Sequence, residues 1–319
     1  MSGQSPVEPV APAFVHLRLH SEYALADSII KVKPLAARAA ELDMAALALT
    51  DRANLFALVK FYQATLDAGI KPLVGVDLWL QDAPGERYRL AALAMNAAGF
   101  KNLIALVSGA YVGCVERGTV TREQLQACGE GLVILSGGRE GDVGQALLKG
   151  DHARAEALAA WWAETFGDRY YLEVTRTGRS GEEAYIALAV PLAAHLALPV
   201  VATNDVCFLH EEDYEAHETR VCIHEGRTLD DPRRVRRYSP AQYLKSAAQM
   251  TELFSDLPEA VANTVEIARR CSVEVALGRY YLPDYPVPEG TTHGELSSRA
   301  APAEGLDDKL TPPRGYSAG

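Results

Sequence analysis

Two histidines and an arginine end an apolar run near the start of the chain, Phe14-Val-His-Leu-Arg-Leu-His20. In an extended strand alternate side chains point to one side, so His16, Arg18 and His20 are expected to share a face. A His-x-His pair at a strand end is suited to holding a metal ion. Here a guanidinium interrupts the alternation, and arginine neither deprotonates in proteins nor ligates a cation. The stretch therefore reads either as a metal site or as one that has lost its metal.

Further ionisable residues follow later apolar runs. Asp27 lies in the loop after His20. Asp51 and Arg52 follow the second run, Asp77 lies within the third and Arg89 within the fourth. Glu173 and Thr177 flank the end of the sixth run, and Asp205 and Cys207 follow the seventh. In a parallel α/β barrel the C-terminal face carries the chemistry. A rim of acids and imidazoles suits metal-assisted hydrolysis of phosphoesters, in which metal ions activate water and neutralise phosphate. Each member has a plainer reading. Asp51 before Ala53-Asn54 suits a helix N-cap, and His16 on an apolar strand suits a satisfied core histidine. The gathering is better evidence than any single residue.

The elements that would position these residues are short apolar or β-rich runs at 14–19, 46–50, 72–80, 88–94, 132–135, 170–174 and 199–203. Between most of them lie helical patterns, at 34–42, 54–68, 100–111, 153–166 and 182–196. The helix at 54–68 would start on an N-cap asparagine and end at Gly69. Strands that read as apolar runs, alternating with helices, mark a parallel sheet covered by helices. Seven units fit either a closed barrel or an open doubly wound sheet. After Phe208 the pattern turns helical, at 211–224, 240–254 and 258–271, with no further strand. From about Pro286 to Gly319 the composition becomes Pro-, Gly-, Ser-, Thr- and Ala-rich, as in a linker.

Composition bounds the rest. The 319 residues are 48% hydrophobic and carry 31 Lys+Arg against 42 Asp+Glu, a net charge of −11. A free-standing non-specific DNA binder is expected to be basic, whereas one domain of a larger nucleic-acid enzyme need not be. The five cysteines, Cys114, Cys128, Cys207, Cys222 and Cys271, form no C-x-x-C pair. That argues against a disulfide framework or zinc ribbon and for a reducing compartment. Residues 1–13 are polar and Pro-rich, unlike a signal peptide. The longest apolar run, 187–202, is interrupted by Pro191, His195 and Pro199 and is too short to span a membrane. A soluble cytoplasmic protein is expected.

Weaker signals have structural readings. Arg233-Arg234-Val-Arg236-Arg237 follows Asp230-Asp231 and reads as a solvated loop with local ion pairs rather than a phosphate contact. Trp161-Trp162 reads as one core anchor and one boundary residue. Gly137-Gly138 with Gly141 and Gly144 lacks the Gly-Lys-Ser/Thr ending of a phosphate loop and reads as a strand-to-helix turn. Ser136 has no histidine at a spacing that supports a hydrolase triad.

Several motifs occur in a telling order: Phe14-Val-His-Leu-Arg-Leu-His-Ser-Glu-Tyr23, Ala48-Leu-Thr-Asp51 with Asn54-Leu55, Gly69-Ile-Lys-Pro-Leu-Val-Gly75, Leu135-Ser-Gly-Gly-Arg139 with Gly141-Asp-Val-Gly144, and Pro199-Val-Val-Ala-Thr-Asn-Asp-Val206. Tyr238-Ser-Pro-Ala-Gln-Tyr-Leu-Lys-Ser246 and Ala262-Asn-Thr-Val-Glu-Ile-Ala268 follow. Together they resemble the N-terminal PHP (polymerase and histidinol phosphatase) domain of bacterial replicative DNA polymerase III alpha subunits, over about residues 14–287. The resemblance implies a seven-stranded (β/α) TIM-like barrel with a C-terminal helical appendix. It divides the chain into a disordered extension at 1–13, a barrel domain at 14–285, and a linker or truncated start of the next domain at 286–319.

Metal-binding members of this family use nine ligands at the barrel mouth. The resemblance carries the first His-x-His onto Arg18 and His20 and the next aspartate onto Asp27. The histidine of Thr-Asp-His falls on Arg52, the glutamate of the third strand on Asp77 and the histidine of the fourth on Arg89. The histidine after the sixth strand falls near Thr177, and the last Asp-x-His on Asp205 and Cys207. His20, Asp27 and Asp205 are kept, Asp77 is a conservative change, and five positions are replaced, three of them by arginine. The expectation is a degenerate site in which Arg18, Arg52 and Arg89 neutralise Asp27, Asp77 and Asp205 without metal. The alternative is zinc held by Cys207, His20 and Asp205.

The resemblance also implies a role. The parent enzymes extend DNA from dNTPs with two Mg²⁺ ions held by carboxylates of a Pro-Asp-Phe-Asp-x-Asp type motif. That motif is absent from this sequence, so no polymerisation and no cofactor is expected of it alone. The expected role is a structural platform for the polymerase domain and other replisome subunits and a docking site for the proofreading exonuclease subunit, with DNA met through the parent protein and no membrane involved. The alternative is an active metal-dependent 3′–5′ exonuclease or phosphoesterase.

Overall fold

The computed structural model describes residues 14–83, 85–112 and 116–278. The expectations for 1–13 and for 286–319 fall outside these residues. The described residues up to Val275 form one unit.

Among the described residues seven strands make up a mixed sheet. They are β1 (Ala46–Leu49), β2 (Lys71–Gln81), β3 (Arg87–Ala94), β4 (Thr119–Val120), β5 (Leu132–Leu135), β6 (Tyr170–Thr175) and β7 (Val200–Thr203). Their order is β1-β2-β3-β5-β6-β7, with β4 paired to the end of β2. Among the described residues ten α-helices precede, separate and follow the strands: α1 (Val32–Glu41), α2 (Leu58–Asp67), α3 (Ala97–Gly109), α4 (Arg122–Ala127), α5 (Asp142–Leu148), α6 (His152–Phe166), α7 (Glu182–His195), α8 (Tyr214–Glu225), α9 (Ala247–Leu253) and α10 (Pro258–Arg270). The sheet curls into a barrel-like α/β arrangement. Most strand residues are buried on both faces, as expected for strands covered by helices. Among the described residues no helix is long and apolar enough to cross a membrane.

Three expectations about the strands change. First, the sheet is not all parallel, because β3 runs antiparallel to both β2 and β5. Five residues separate β2 from β3, too few for the crossover a parallel pair requires. Second, residues 14–19 form no continuous strand. They make isolated parallel bridges instead, His16 to Leu47 of β1 and Leu19 to Val206 beyond β7. The Ala48 amide donates to the His16 carbonyl and the Thr50 amide to the Leu19 carbonyl. Two steps along β1 therefore match three along this segment, so it carries one extra residue, as in a β-bulge. Third, the structure adds β4, with α4 and α5 nearby, where the sequence pattern marks no element.

The extra residue switches the alternation of side chains. Val15 and Leu17 belong to an inner apolar cluster with Ala46, Ala48, Leu73, Leu93, Val133, Leu135 and Val201. Leu19 instead joins a cluster with Leu35, Leu47 and Phe61, on the side of α1 and α2. Arg18 and His20 are thereby turned toward the inside. At the far end of the inner cluster Val265, Ile267 and Ala268 of α10 pack against it. α10 is fastened by bonds from Asn263 to the Val200 carbonyl (2.8 Å) and from the Val15 amide to Thr264 Oγ1 (3.0 Å).

Two helices are shorter than expected. The helix at 54–68 begins at Leu58, because Asn54 Oδ1 accepts the Phe56 amide in a turn of its own. Of 240–254 only α9 is helical. The Cys207 amide bonds to the Gln242 carbonyl and the Leu244 amide to the Phe208 carbonyl, so residues 242–244 pair with the segment after β7.

Candidate functional site

The inward alternation that builds the apolar layer continues toward one end of the sheet and there becomes charged. Beyond Leu73 and Gly75 on β2 comes Asp77. Before Ala91 and Leu93 on β3 comes Arg89. Beyond Tyr171 on β6 comes Glu173, and beyond Val201 and Thr203 comes Asp205. Because β3 is reversed, the residue near its start reaches the end where the other strands finish.

These groups form one buried ion cluster. Arg18 donates from Nη1 to Glu173 Oε2 (2.6 Å) and from Nη2 to Asp77 Oδ1 (3.0 Å), and its Nε lies 3.5 Å from Asp205 Oδ1. Arg89 donates to Asp77 Oδ2, to both oxygens of Asp205 (3.3 Å each) and to Glu140 Oε2 (3.0 Å). Arg179 reaches Asp205 Oδ2 at 3.1 Å. His20 Nε2 lies 2.9 Å from Asp77 Oδ2, and its Nδ1 is 3.7 Å from Asp205 Oδ1. Glu173 is held further by the Gly137 amide (3.0 Å) and Thr203 Oγ1 (2.5 Å). Arg18 is only 2% exposed and Glu173 not at all, so the centre of the cluster is closed to solvent.

Burial alone would raise the Asp77 and Asp205 carboxyls. The guanidiniums instead hold both well below the usual carboxylate range: Arg18 and Arg89 for Asp77, Arg89, Arg179 and Arg18 for Asp205. Gly137 (φ 79°) runs under Arg89, and a Cβ there would meet the Arg89 carbonyl oxygen at 1.9 Å. The Gly137-Gly138 stretch is thus the strand-to-helix turn expected, and it clears room for the arginine.

The donor set does not fit a divalent cation as it stands. One atom each of His20, Asp77 and Asp205 lies within 4.8 Å of the others, close enough for a shared ion. Yet all four carboxylate oxygens of the two aspartates already face guanidinium nitrogens. An ion at their centre would have to displace Arg18 and Arg89.

Asp27 pairs with Arg52 at 2.9 Å, in a second, partly exposed contact. Tyr238 also donates to Asp27. Thr177 is buried but faces Glu182, to which it donates from Oγ1 (2.6 Å) and its amide (2.7 Å). It touches the cluster only through Arg179, whose Nε donates to Thr177 Oγ1 (2.9 Å). Cys207 lies against the Asp205 carbonyl (3.3 Å) and Gln242, and burial pushes its thiol up, away from the thiolate a metal needs. Asp51 is not an N-cap. Its carboxylate accepts the Ser21 amide and hydroxyl, both at 2.6 Å. Arg179, Glu140 and Glu173 belong to the same ion cluster but are not among the nine ligand positions. Glu173 was visible at a strand end, but Arg179 and Glu140 lie on loops with no spacing signal.

His16 is turned away from the cluster by the extra residue and donates from Nε2 to the Lys245 carbonyl at 2.8 Å. Its Nδ1 is buried with no partner among the described residues. Burial, reinforced by the Lys245 ammonium, pushes its pKa down to about 4 from the usual 6.5. The folded value lies below the unfolded one, so stability is full above pH 6.5 and is lost as pH falls from 6.5 toward 4. The loss amounts to about 3 kcal/mol. In a His16→Gln variant, chemical-denaturation curves recorded across that window are expected to have a shallower acid slope by this amount. An unchanged slope would assign the acid lability elsewhere.

The minor motifs follow their structural readings. Trp162 is buried with Trp161 at the boundary, and the Arg122 guanidinium lies over both rings. Arg233 pairs with Asp231, Arg234 with Glu218 and Arg237 with Glu225.

A profile of the PHP domain family matches residues 16–177, just over half of the 319-residue chain. The DNA polymerase III subunit alpha of Pseudomonas aeruginosa is 52% identical over 302 residues, covering 93% of this chain and 26% of that protein. The same-named subunit of Escherichia coli is 51% identical over 307 residues, 94% of this chain and 26% of that one. The chain thus spans about a quarter of the length of the curated relatives it matches. Among solved structures, an amidohydrolase from Chromobacterium violaceum aligns with 65% of this chain and 96% of its own, at 14% identity and a TM-score of 0.44.

Proposed function

The chain belongs to the PHP domain family, and from that premise we propose that it is the platform domain of a DNA polymerase III alpha subunit, with its own hydrolytic centre silenced. The observation that carries this reading is the occupation of Asp77 and Asp205 by Arg18, Arg89 and Arg179. Guanidiniums supply there the positive charge that metal ions supply in hydrolytic members. The bridges of residues 16–20 to both β1 and the segment after β7 support a closed, seven-stranded (β/α) barrel. On this reading α8 to α10 form its helical appendix.

The polymerase domain would pack against this barrel, and the proofreading exonuclease subunit would dock on it. The parent protein would extend DNA in the bacterial replisome with Mg²⁺ bound outside this sequence. The test is co-elution of the 319-residue chain with the cognate exonuclease subunit on gel filtration. A stable complex supports the platform role, and no binding by folded chain would sink it.

One observation favours an active phosphoesterase or 3′–5′ exonuclease instead: His20, Asp77 and Asp205 still converge within 4.8 Å. Stoichiometric zinc or manganese in the purified protein, with turnover of a chromogenic phosphodiester, would establish that reading.

A further inference from the structure

Beside the Asp27–Arg52 pair a groove of about 280 Å³ opens to solvent. It is near the lower end of the size range of ligand pockets, about 300–1,000 Å³, and is suited to a few anchoring side chains. Its lining is unusual for a chain of net charge −11. Leu25, Phe56 and Tyr111 line it and are 69%, 73% and 47% exposed, and Trp79 forms part of its wall. Three of the large apolar side chains exposed among the described residues, Leu25, Phe56 and Tyr111, thus line one groove. A contiguous apolar patch with a polar rim marks an interaction surface.

Leu25 is held there against its backbone preference. Its φ of 58° and ψ of −99° are rare for a residue with a side chain. Arg220 of α8 clamps the turn by donating to the carbonyls of Leu25 and Glu22. A strained backbone that presents an apolar side chain to water points to a function outside folding.

The charges choose the occupant. Arg52 is matched by Asp27, and Arg87 by Glu116. Arg117 has no acidic partner among the described residues, and His224 also lines the groove. One unmatched guanidinium and one imidazole are too few to track a phosphate backbone. They suit one or two carboxylates on an otherwise apolar segment, whose side chains would anchor between Leu25, Phe56 and Tyr111.

We infer that this groove binds a short peptide segment of a partner protein, with leucine or aromatic anchors and an adjacent carboxylate. The inference deepens the platform reading by assigning a docking point to it. A fluorescein-labelled dodecapeptide with alternating Leu/Phe and Asp/Glu residues, its Lys-for-acid counterpart and a labelled dT12 strand are titrated against the full 319-residue chain by anisotropy. The acidic peptide is expected to bind at least tenfold more tightly than either control, and to lose tenfold or more in Phe56→Ser and Arg117→Glu variants. Both positions face solvent or the open groove, so unchanged thermal melts show that the variants are folded. Equal binding by the variants, preference for the Lys peptide, or preference for dT12 overturns the inference. Exonuclease co-elution distinguishes the two readings. Failure of the unmodified chain to bind the exonuclease, with the acidic peptide still bound and lost in both variants, would remove the platform reading and leave the groove; equal peptide binding by the variants, with the exonuclease still bound, would remove the groove and leave the platform.

Discussion

Replacing Arg18 with methionine is expected to lower the unfolding free energy by about 3–5 kcal/mol at neutral pH, because it leaves buried carboxylates without their counter-charge. Arg18 faces Asp77, Glu173 and Asp205 in a site closed to water. Arg18→Lys also loses stability, since an ammonium cannot reproduce the two-pronged contact to Asp77 and Glu173. The pH dependence has a definite sign. In the parent chain Asp77 is ionised down to well below pH 3.8, so its contribution is present above the unfolded value and lost only as pH falls through the lower folded one. In the methionine variant Asp77 keeps Arg89 but loses one of its two guanidiniums, so burial weighs more and it takes up a proton more readily. The gap between parent and variant is therefore widest at pH 7 and narrows toward pH 5. Urea unfolding at both pH values, followed by circular dichroism, measures it. A gap under 1 kcal/mol at pH 7, or one that widens in acid, would mean that the cluster does not hold the mouth together.

The second large effect is a gain of metal. Arg18, Arg89 and Arg179 face Asp77, Glu140, Glu173 and Asp205, three positive groups against four negative. Changing Arg18 and Arg89 together to histidine replaces two cations by neutral imidazoles and leaves one positive group against four negative. The two new rings would stand beside His20, Asp77 and Asp205, whose ligand atoms already converge. The Arg18→His/Arg89→His variant is expected to purify with, or take up, about one equivalent of zinc or manganese. Free metal at a hundredfold excess over its dissociation constant would then raise stability by about 2.7 kcal/mol. Elemental analysis and melting curves with and without chelator read both effects. A variant that folds yet takes up no metal would show that the mouth is closed to ions by shape rather than by charge.

Much of the strand framework is legible in the sequence, because β1, β5, β6 and β7 are short apolar runs bounded by turn residues. The direction of β3 is not written in its composition. It is implied by the five residues between Gln81 and Arg87, which leave room for a hairpin only. The helix start at 54–68 misleads because Asn54 serves as a turn residue as readily as an N-cap. In the site, Arg18, His20, Asp77, Arg89 and Asp205 meet in one ion cluster. His16 does not join them, since one extra backbone residue between His16 and Leu19 undoes the simple alternation, and no side chain announces it. Arg179 and Glu140 are supplied by loops after β6 and β5 and become visible only once the sheet has brought those loops together.

The reach of the ion cluster along the chain has a kinetic consequence. Arg18 and Glu173 are 155 residues apart, Arg89 and Asp205 are 116, and Arg18 and Asp77 are 59. Such contacts close long loops, so they form after local helices and hairpins, late on the way to the native state. Interactions absent from the transition state act on the rate of escape from the folded basin rather than on the rate of entry. The arginines at the mouth are thus a latch in time as well as in space. Without Arg18 the chain refolds at nearly its former speed but opens far sooner, a difference that appears in the unfolding arm of a stopped-flow chevron.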